Sequence, residues 1–128
     1  MSEHSIKGDF MGKIGLKCDC EAVHVKKVNK IKNELMNEKR LSEIADFYKA
    51  LSDTTRIKII SVLENNELGV SDIAVVIDMT KSVVSHQLKY LKEMNIVTCK
   101  KNGREVIYSL TDDHARQVFN MSCFHIGD

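Results

Sequence analysis

The sequence predicts a mainly α-helical chain with one small β-hairpin, and three features of its 128 residues predict it. Proline is absent and aromatic residues make up only 5%, which favours helices over a β-sandwich. Apolar residues recur at helical spacing through most of the chain, as in Val70, Ile73, Ala74 and Ile77. One short stretch, IVTCKKNGREVIYSL, switches to alternation on either side of an Asn-Gly pair.

Composition bounds the rest. A chain that is 43% hydrophobic and 29% charged is globular, and its length suits a modest core. The longest purely apolar run, Ile73–Ile77, is far too short to span a bilayer. The first twelve residues, MSEHSIKGDFMG, hold no apolar core of signal-peptide length, so the expected location is the cytoplasm. In that reducing compartment Cys18, Cys20, Cys99 and Cys123 point to metal or redox chemistry rather than to a disulfide framework. The chain carries no HExxH, no nucleophile motif and no phosphate loop, so an enzyme, such as a metal-dependent hydrolase, is not expected.

The elements follow in order. Residues 1–20 hold three glycines and no period, so they read as a flexible arm bearing Cys18 and Cys20. Residues 21–128 read as one domain. Glu21–Arg40 is lysine-rich and helical in pattern, through Val25, Val28, Ile31 and Leu35. Leu41–Leu51 gives a second short amphipathic helix. Ser52 or Asp53 offers an N-cap for a third, with Ile57, Ile60 and Leu63 on its buried stripe.

Val70, Ile73, Ala74 and Ile77 mark the buried face of a fourth helix, broken by Asp78 and Met79. Thr80 can cap a fifth, running to about Met94, with Val84, Leu88 and Leu91 inward. Ser82, Ser85, His86 and Lys89 then fall on the opposite face by the same period. The hairpin follows, with Asn102-Gly103 as its two turn residues and Lys100, Lys101 and Arg104 at its tip. A last helix starts near Thr111 or Asp112. Two short helices, a tight turn between them and a basic hairpin behind make a winged helix-turn-helix.

That order points to double-stranded DNA. Net charge is only +1, but from Lys81 to Arg104 six basic residues face one acid, Glu93. A charge run alone is usually a solvated face. Here it accompanies a helix whose Ser82, Ser85, His86, Gln87 and Lys89 offer hydroxyls, imidazole, amide and ammonium to base edges. Lys81, Lys101 and Arg104 would reach phosphates. Tyr90 and Tyr108 are the only nearby aromatics, too few for a single-strand stacking platform.

Two clusters suggest metal chemistry. His114 and His125 are eleven residues apart, each near an aspartate. On one helix they lie about 16 Å apart, beyond the span of a single ion. Either they are unrelated surface groups, or they are halves of a site that a second copy completes. Cys18, Cys20 and His24 place two thiolates and an imidazole within seven residues, a set suited to Cd²⁺, Pb²⁺ or Zn²⁺. An arm with reactive thiols fits the same residues.

LSDTTRIKIISVL resembles the L-x-D-x-T-R helix of the ArsR/SmtB family of metal-responsive bacterial repressors. ELGVSDIA, SVVSHQLKYLKEMNIV and KKNGREVIYSL resemble that family's helix-turn-helix and wing in order and spacing. The resemblance covers residues 41–128 and, more loosely, the N-terminal helix.

It implies a homodimer through the first and last helices, which represses an operator when metal-free and loosens when metal binds. For the zinc-sensing branch it implies an inter-subunit site of Asp112 and His114 with His125 and Asp128 of the partner subunit. Four nitrogen and oxygen ligands suit tetrahedral Zn²⁺. The resemblance also departs. Thiolate-rich relatives read ELCVCD where this chain has Gly69 and Ser71, leaving Cys18, Cys20 and His24 to pair only with Asp72. A thiol-redox repressor of the same fold, through Cys18, Cys20 or Cys123, and a metal-buffering protein are the alternatives.

Overall fold

The computed structural model describes residues 17–127. The expected flexible arm therefore lies outside the described residues up to residue 16, and so does Asp128. The chain divides into two compact units, residues 1–37 and 38–128.

The first unit contributes α1, Val25–Glu34. The lysine-rich pattern predicts one helix as far as Arg40, but the chain turns extended at Leu35, and α2 starts at Glu38 and runs to Leu51. Leu35 and Met36 keep up the apolar rhythm, and no Pro or Gly marks the break. Within its own unit α1 leaves Val25, Ile31 and Leu35 exposed, with Val28 half-buried.

The second unit is built around α3, Thr54–Leu63. The Asp53 carboxylate accepts from the backbone N–H of Arg56 at 3.1 Å, satisfying one of the orphan donors of the first turn. This helix packs against α2 and also against α4 (Val70–Ile77), α5 (Lys81–Glu93), the strand β3 (Glu105–Leu110) and α6 (Asp113–Ile126). A helix with neighbours on several sides needs a wide buried arc. Ile59 is accordingly fully buried beside Ile60 and Leu63, while Ile57, expected on the stripe, is half-buried.

The α4–α5 turn follows from residue type. Asp78 closes α4 in the left-handed region, at φ 56°, and the Met79 N–H reaches back to the Ala74 carbonyl at 3.0 Å. Aspartate enters that region more readily than bulky residues do. The Thr80 hydroxyl then accepts from the Val83 N–H at 3.1 Å and caps α5. Val84, Leu88 and Leu91 are buried as their spacing predicts. Asn95, at φ 61°, ends the segment, and the Ile96 N–H bonds back to Leu91.

The wing is a three-stranded antiparallel sheet rather than a plain hairpin. Strand β2, Val97–Asn102, pairs with β3 in register from Val97↔Leu110 to Asn102↔Glu105. A two-residue strand β1, Leu68–Gly69, pairs with the other edge of β3 at Tyr108 and Ile107. The turn residues are Gly103-Arg104, one position later than expected. Only Gly103 has positive φ, at 69°, which is the requirement of a II′ turn with Gly in its first central position. A hydrogen bond from Thr111 N–H to the Ile96 carbonyl, 2.9 Å, closes the base. Among the described residues, no helix is long and apolar enough to cross a membrane.

Candidate functional site

Two surfaces carry chemistry. On α5, Lys81, Ser82, Ser85, His86 and Lys89 are all exposed. Lys81, Ser85 and Lys89 recur at i, i+4, and Ser82 and His86 do the same, so the residues form two adjacent rows. The wing residues Lys101 and Arg104 are exposed as well. Arg104 lines the same shallow cleft as Lys81, together with Ser71, Asp72 and Glu105. Helix start and wing tip therefore lie at one cleft, with Asp72 and Glu105 among the two basic side chains.

Gln87 stands apart from this set. It is half-buried, and its Oε1 accepts from Arg56 Nη1 at 3.2 Å. Arg56 also stacks its guanidinium over the Tyr90 ring, 4.4 Å from the centroid. Composition and spacing give Arg56 no role. The signal was its place in the Asp53–Arg56 segment, where the aspartate caps the helix and the arginine side chain is free to reach elsewhere.

The second surface is α6. Asp112 is its N-cap, in extended backbone, and one carboxylate oxygen accepts from the His114 backbone N–H at 2.9 Å. The other carboxylate oxygen lies 3.1 Å from Nδ1 of His114. Two residues apart on a regular helix would diverge by about 200°; the cap brings them together. Donors at that separation match an edge of a tetrahedral zinc site, about 3.3 Å for metal–ligand bonds near 2.0–2.1 Å. Both side chains are open to solvent.

His125 is exposed in the last turn, before Gly127 ends the helix in left-handed backbone. Asp128, the expected companion of His125, lies outside the described residues. Among the described residues, no three His, Cys, Asp or Glu gather within one chain into a metal-binding group. The helix thus carries two donors at one end and an imidazole at the other. Met121, Phe124 and Ile126, at 65%, 83% and 80% exposure, spread an open apolar surface over its last turns.

The cysteines divide. Cys18 and Cys20 are exposed, with the Cys20 N–H directed at the Cys18 sulfur at 3.4 Å, and His24 is exposed just before α1. Asp72, exposed in the first turn of α4, belongs to the other unit. Cys123 is half-buried on α6. Cys99, on β2, is half-buried and accepts from Lys92 Nζ at 3.2 Å; that hydrogen bond holds the Lys92 ammonium above its ordinary pKa. Gly69 has an ordinary φ of −83°, but a Cβ there would sit 3.3 Å from the Val106 carbonyl, so β3 crowds the position where the resemblance implies cysteine in thiolate-rich relatives.

Comparison with known proteins points the same way. A family model described as "Bacterial regulatory protein, arsR family" matches residues 53–98. The chain is 34% identical over 111 residues to a Synechocystis transcriptional repressor SmtB homolog, covering 87% of this chain and 84% of that one. It is 38% identical over 109 residues to a CadC homolog of Staphylococcus aureus, a cadmium resistance transcriptional regulatory protein, covering 84% and 89%. The solution structure of apo-NmtR aligns with TM-score 0.63 at 33% identity, over 71% of this chain and 76% of that one. A homodimeric winged helix-turn-helix DNA-binding domain from Mycobacterium bovis shares the fold, with TM-score 0.65 at 22% identity over 71% and 87%.

Proposed function

Because the chain belongs to the ArsR family of bacterial regulatory proteins, we propose that it is a metal-responsive transcriptional repressor that holds operator DNA as a metal-free homodimer and lets go when Zn²⁺ binds. It is a DNA-binding regulator and not an enzyme, like the relatives it matches. The zinc reading rests on one observation: α6 carries Asp112 and His114 at its start and His125 at its end, too far apart for one ion within a chain.

Laid antiparallel across a two-fold axis, two such helices bring the start of one beside the end of the other. Asp112 and His114 then meet His125 of the partner subunit, with Asp128 of the partner subunit as fourth ligand. Two-fold symmetry makes two equivalent sites. The apolar residues open on α6, Met121, Phe124 and Ile126, are a surface such a dimer would cover. Bound zinc would tie the two closing helices together. The residues of this chain do the rest: Asp112 orients His114, and α5 and the wing carry the contacts to DNA. Cys18, Cys20 and His24, with Asp72 of the partner subunit, are the route by which Cd²⁺ or Pb²⁺ would act instead.

The test is equilibrium binding to a duplex selected from a random library by the metal-free protein. Zinc should lower that affinity about tenfold or more, and the duplex should weaken zinc binding by the same factor. Stoichiometric zinc with unchanged affinity would defeat the reading.

A further inference from the structure

Reading a groove demands a helix held in one orientation, within roughly 10–20° of the productive geometry. The buried Val84, Leu88 and Leu91 fix the depth of α5, but apolar burial is non-directional and sets rotation weakly. Lys92 at the far end of α5 donates to Cys99 of β2; toward α2 and α3, the directional contacts among the described residues come from a single side chain. Arg56 Nη1 donates to Gln87 Oε1 at 3.2 Å, and the guanidinium lies 4.4 Å from the Tyr90 ring centroid. Gln87 and Tyr90 are i, i+3 and so share a face of α5.

The same guanidinium faces α2 on its other side. Nε donates to the Ala50 carbonyl at 2.6 Å, and Nη2 to the Lys49 carbonyl at 3.2 Å. Both carbonyls belong to the last turn of α2, where the macrodipole is negative; the Lys49 carbonyl accepts from the Ser52 N–H and hydroxyl as well. The root of the side chain is fixed too, by the Asp53 cap on the Arg56 N–H. Only a planar fork with several donors meets acceptors in three directions; a lysine ammonium is a point charge on a flexible stem.

We propose that Arg56 is a positioning residue for DNA reading, a strut that locks α5 to the end of α2, and that Gln87 is its acceptor rather than a reader of bases. The proposal rests on α5 being the DNA-reading helix. Phosphate contacts lie elsewhere, at Lys81, Lys101 and Arg104, so the strut governs discrimination between sequences and leaves general attraction to DNA alone.

The experiment uses the full-length metal-free homodimer, the library-selected duplex and an unrelated duplex of equal length. Gln87→Leu should weaken the selected duplex about tenfold and Arg56→Lys at least as much, and the double variant should be no worse than Arg56→Lys alone, because that change already removes the bond to Gln87. Affinity for the unrelated duplex and the salt slope should stay unchanged. Gln87→Glu should keep affinity within about threefold, since a carboxylate accepts from a guanidinium at least as well as an amide does.

Full affinity in Gln87→Leu, additive losses in the double variant, or a Gln87→Glu loss as large as that of Gln87→Leu would each overturn it. Should Arg56→Lys fail to fold by circular dichroism, the two Gln87 variants decide the matter alone. Failure of the unaltered protein to enrich any duplex would instead overturn the DNA-reading role itself, a separate result.

Discussion

One oxygen of Asp112 caps the backbone of His114 while the other lies 3.1 Å from the His114 imidazole. A single carboxylate therefore does two jobs, and substitution separates them. His114→Ala keeps the cap, because the N–H it uses is backbone. Its urea midpoint should match the unaltered protein, its operator affinity should persist, and its response to zinc should vanish. Asp112→Ala should lose the zinc response and also about 1 kcal/mol of stability through the missing cap. Equal stability of the two variants would contradict this division.

A site shared between subunits makes a prediction that a site within one chain does not. His114→Ala and His125→Ala homodimers should each fail to bind zinc tightly. Mixed by unfolding and refolding together, they should form heterodimers with one intact site, since one chain supplies its His114 and the other its His125. Zinc stoichiometry should rise to about one per heterodimer. No recovery on mixing would place the two imidazoles in unrelated surroundings.

The wing tip should act through charge alone. Lys101→Ala and Arg104→Ala should weaken selected and unrelated duplexes alike, and each should lower the slope of log affinity against log salt by about 0.9. Ser85 and His86, exposed on α5, should change sequence preference instead. A wing variant that altered preference at unchanged salt slope would speak against phosphate contact.

Thiol chemistry is separable from the imidazole site. A variant with Cys18, Cys20 and Cys123 all replaced by serine should still release its duplex on adding zinc. During a Cd²⁺ titration of the unaltered protein, ultraviolet thiolate charge-transfer absorbance would report how many sulfurs join. A triple variant deaf to zinc would move the sensing function to the cysteines.

Much of the fold was legible because its signals are local. Thr80, Val84, Leu88 and Leu91 announce α5 within a dozen residues, and the Asn-Gly pair announces the hairpin. What escaped depends on distant partners. β1 is two residues long and exists only because β3 lies alongside it. Ile59 is buried because α3 has neighbours on several sides, a fact no stripe on one helix reveals. Gln87 is drawn away from the reading rows by an arginine 31 positions earlier. At the candidate metal helix, spacing shows that one chain is insufficient. The convergence of Asp112 and His114 needed cap geometry, which the sequence permits but does not require.

The sheet order β1-β3-β2 buries β3 between two strands and leaves β2 as the long edge. The outward-facing N–H and C=O groups of alternate β2 residues form a template on which another extended chain could stack, the usual starting point of aggregation. Here that edge carries Lys101 beside Lys100, whose ammonium lies 3.7 Å from the Glu67 carboxylate, so two copies meeting edge to edge would bring the Lys101 ammonium groups together. If Lys101 holds phosphate as proposed, its loss would thus trade grip on nucleic acid for stickiness between protein molecules, tying solubility to regulation in one residue.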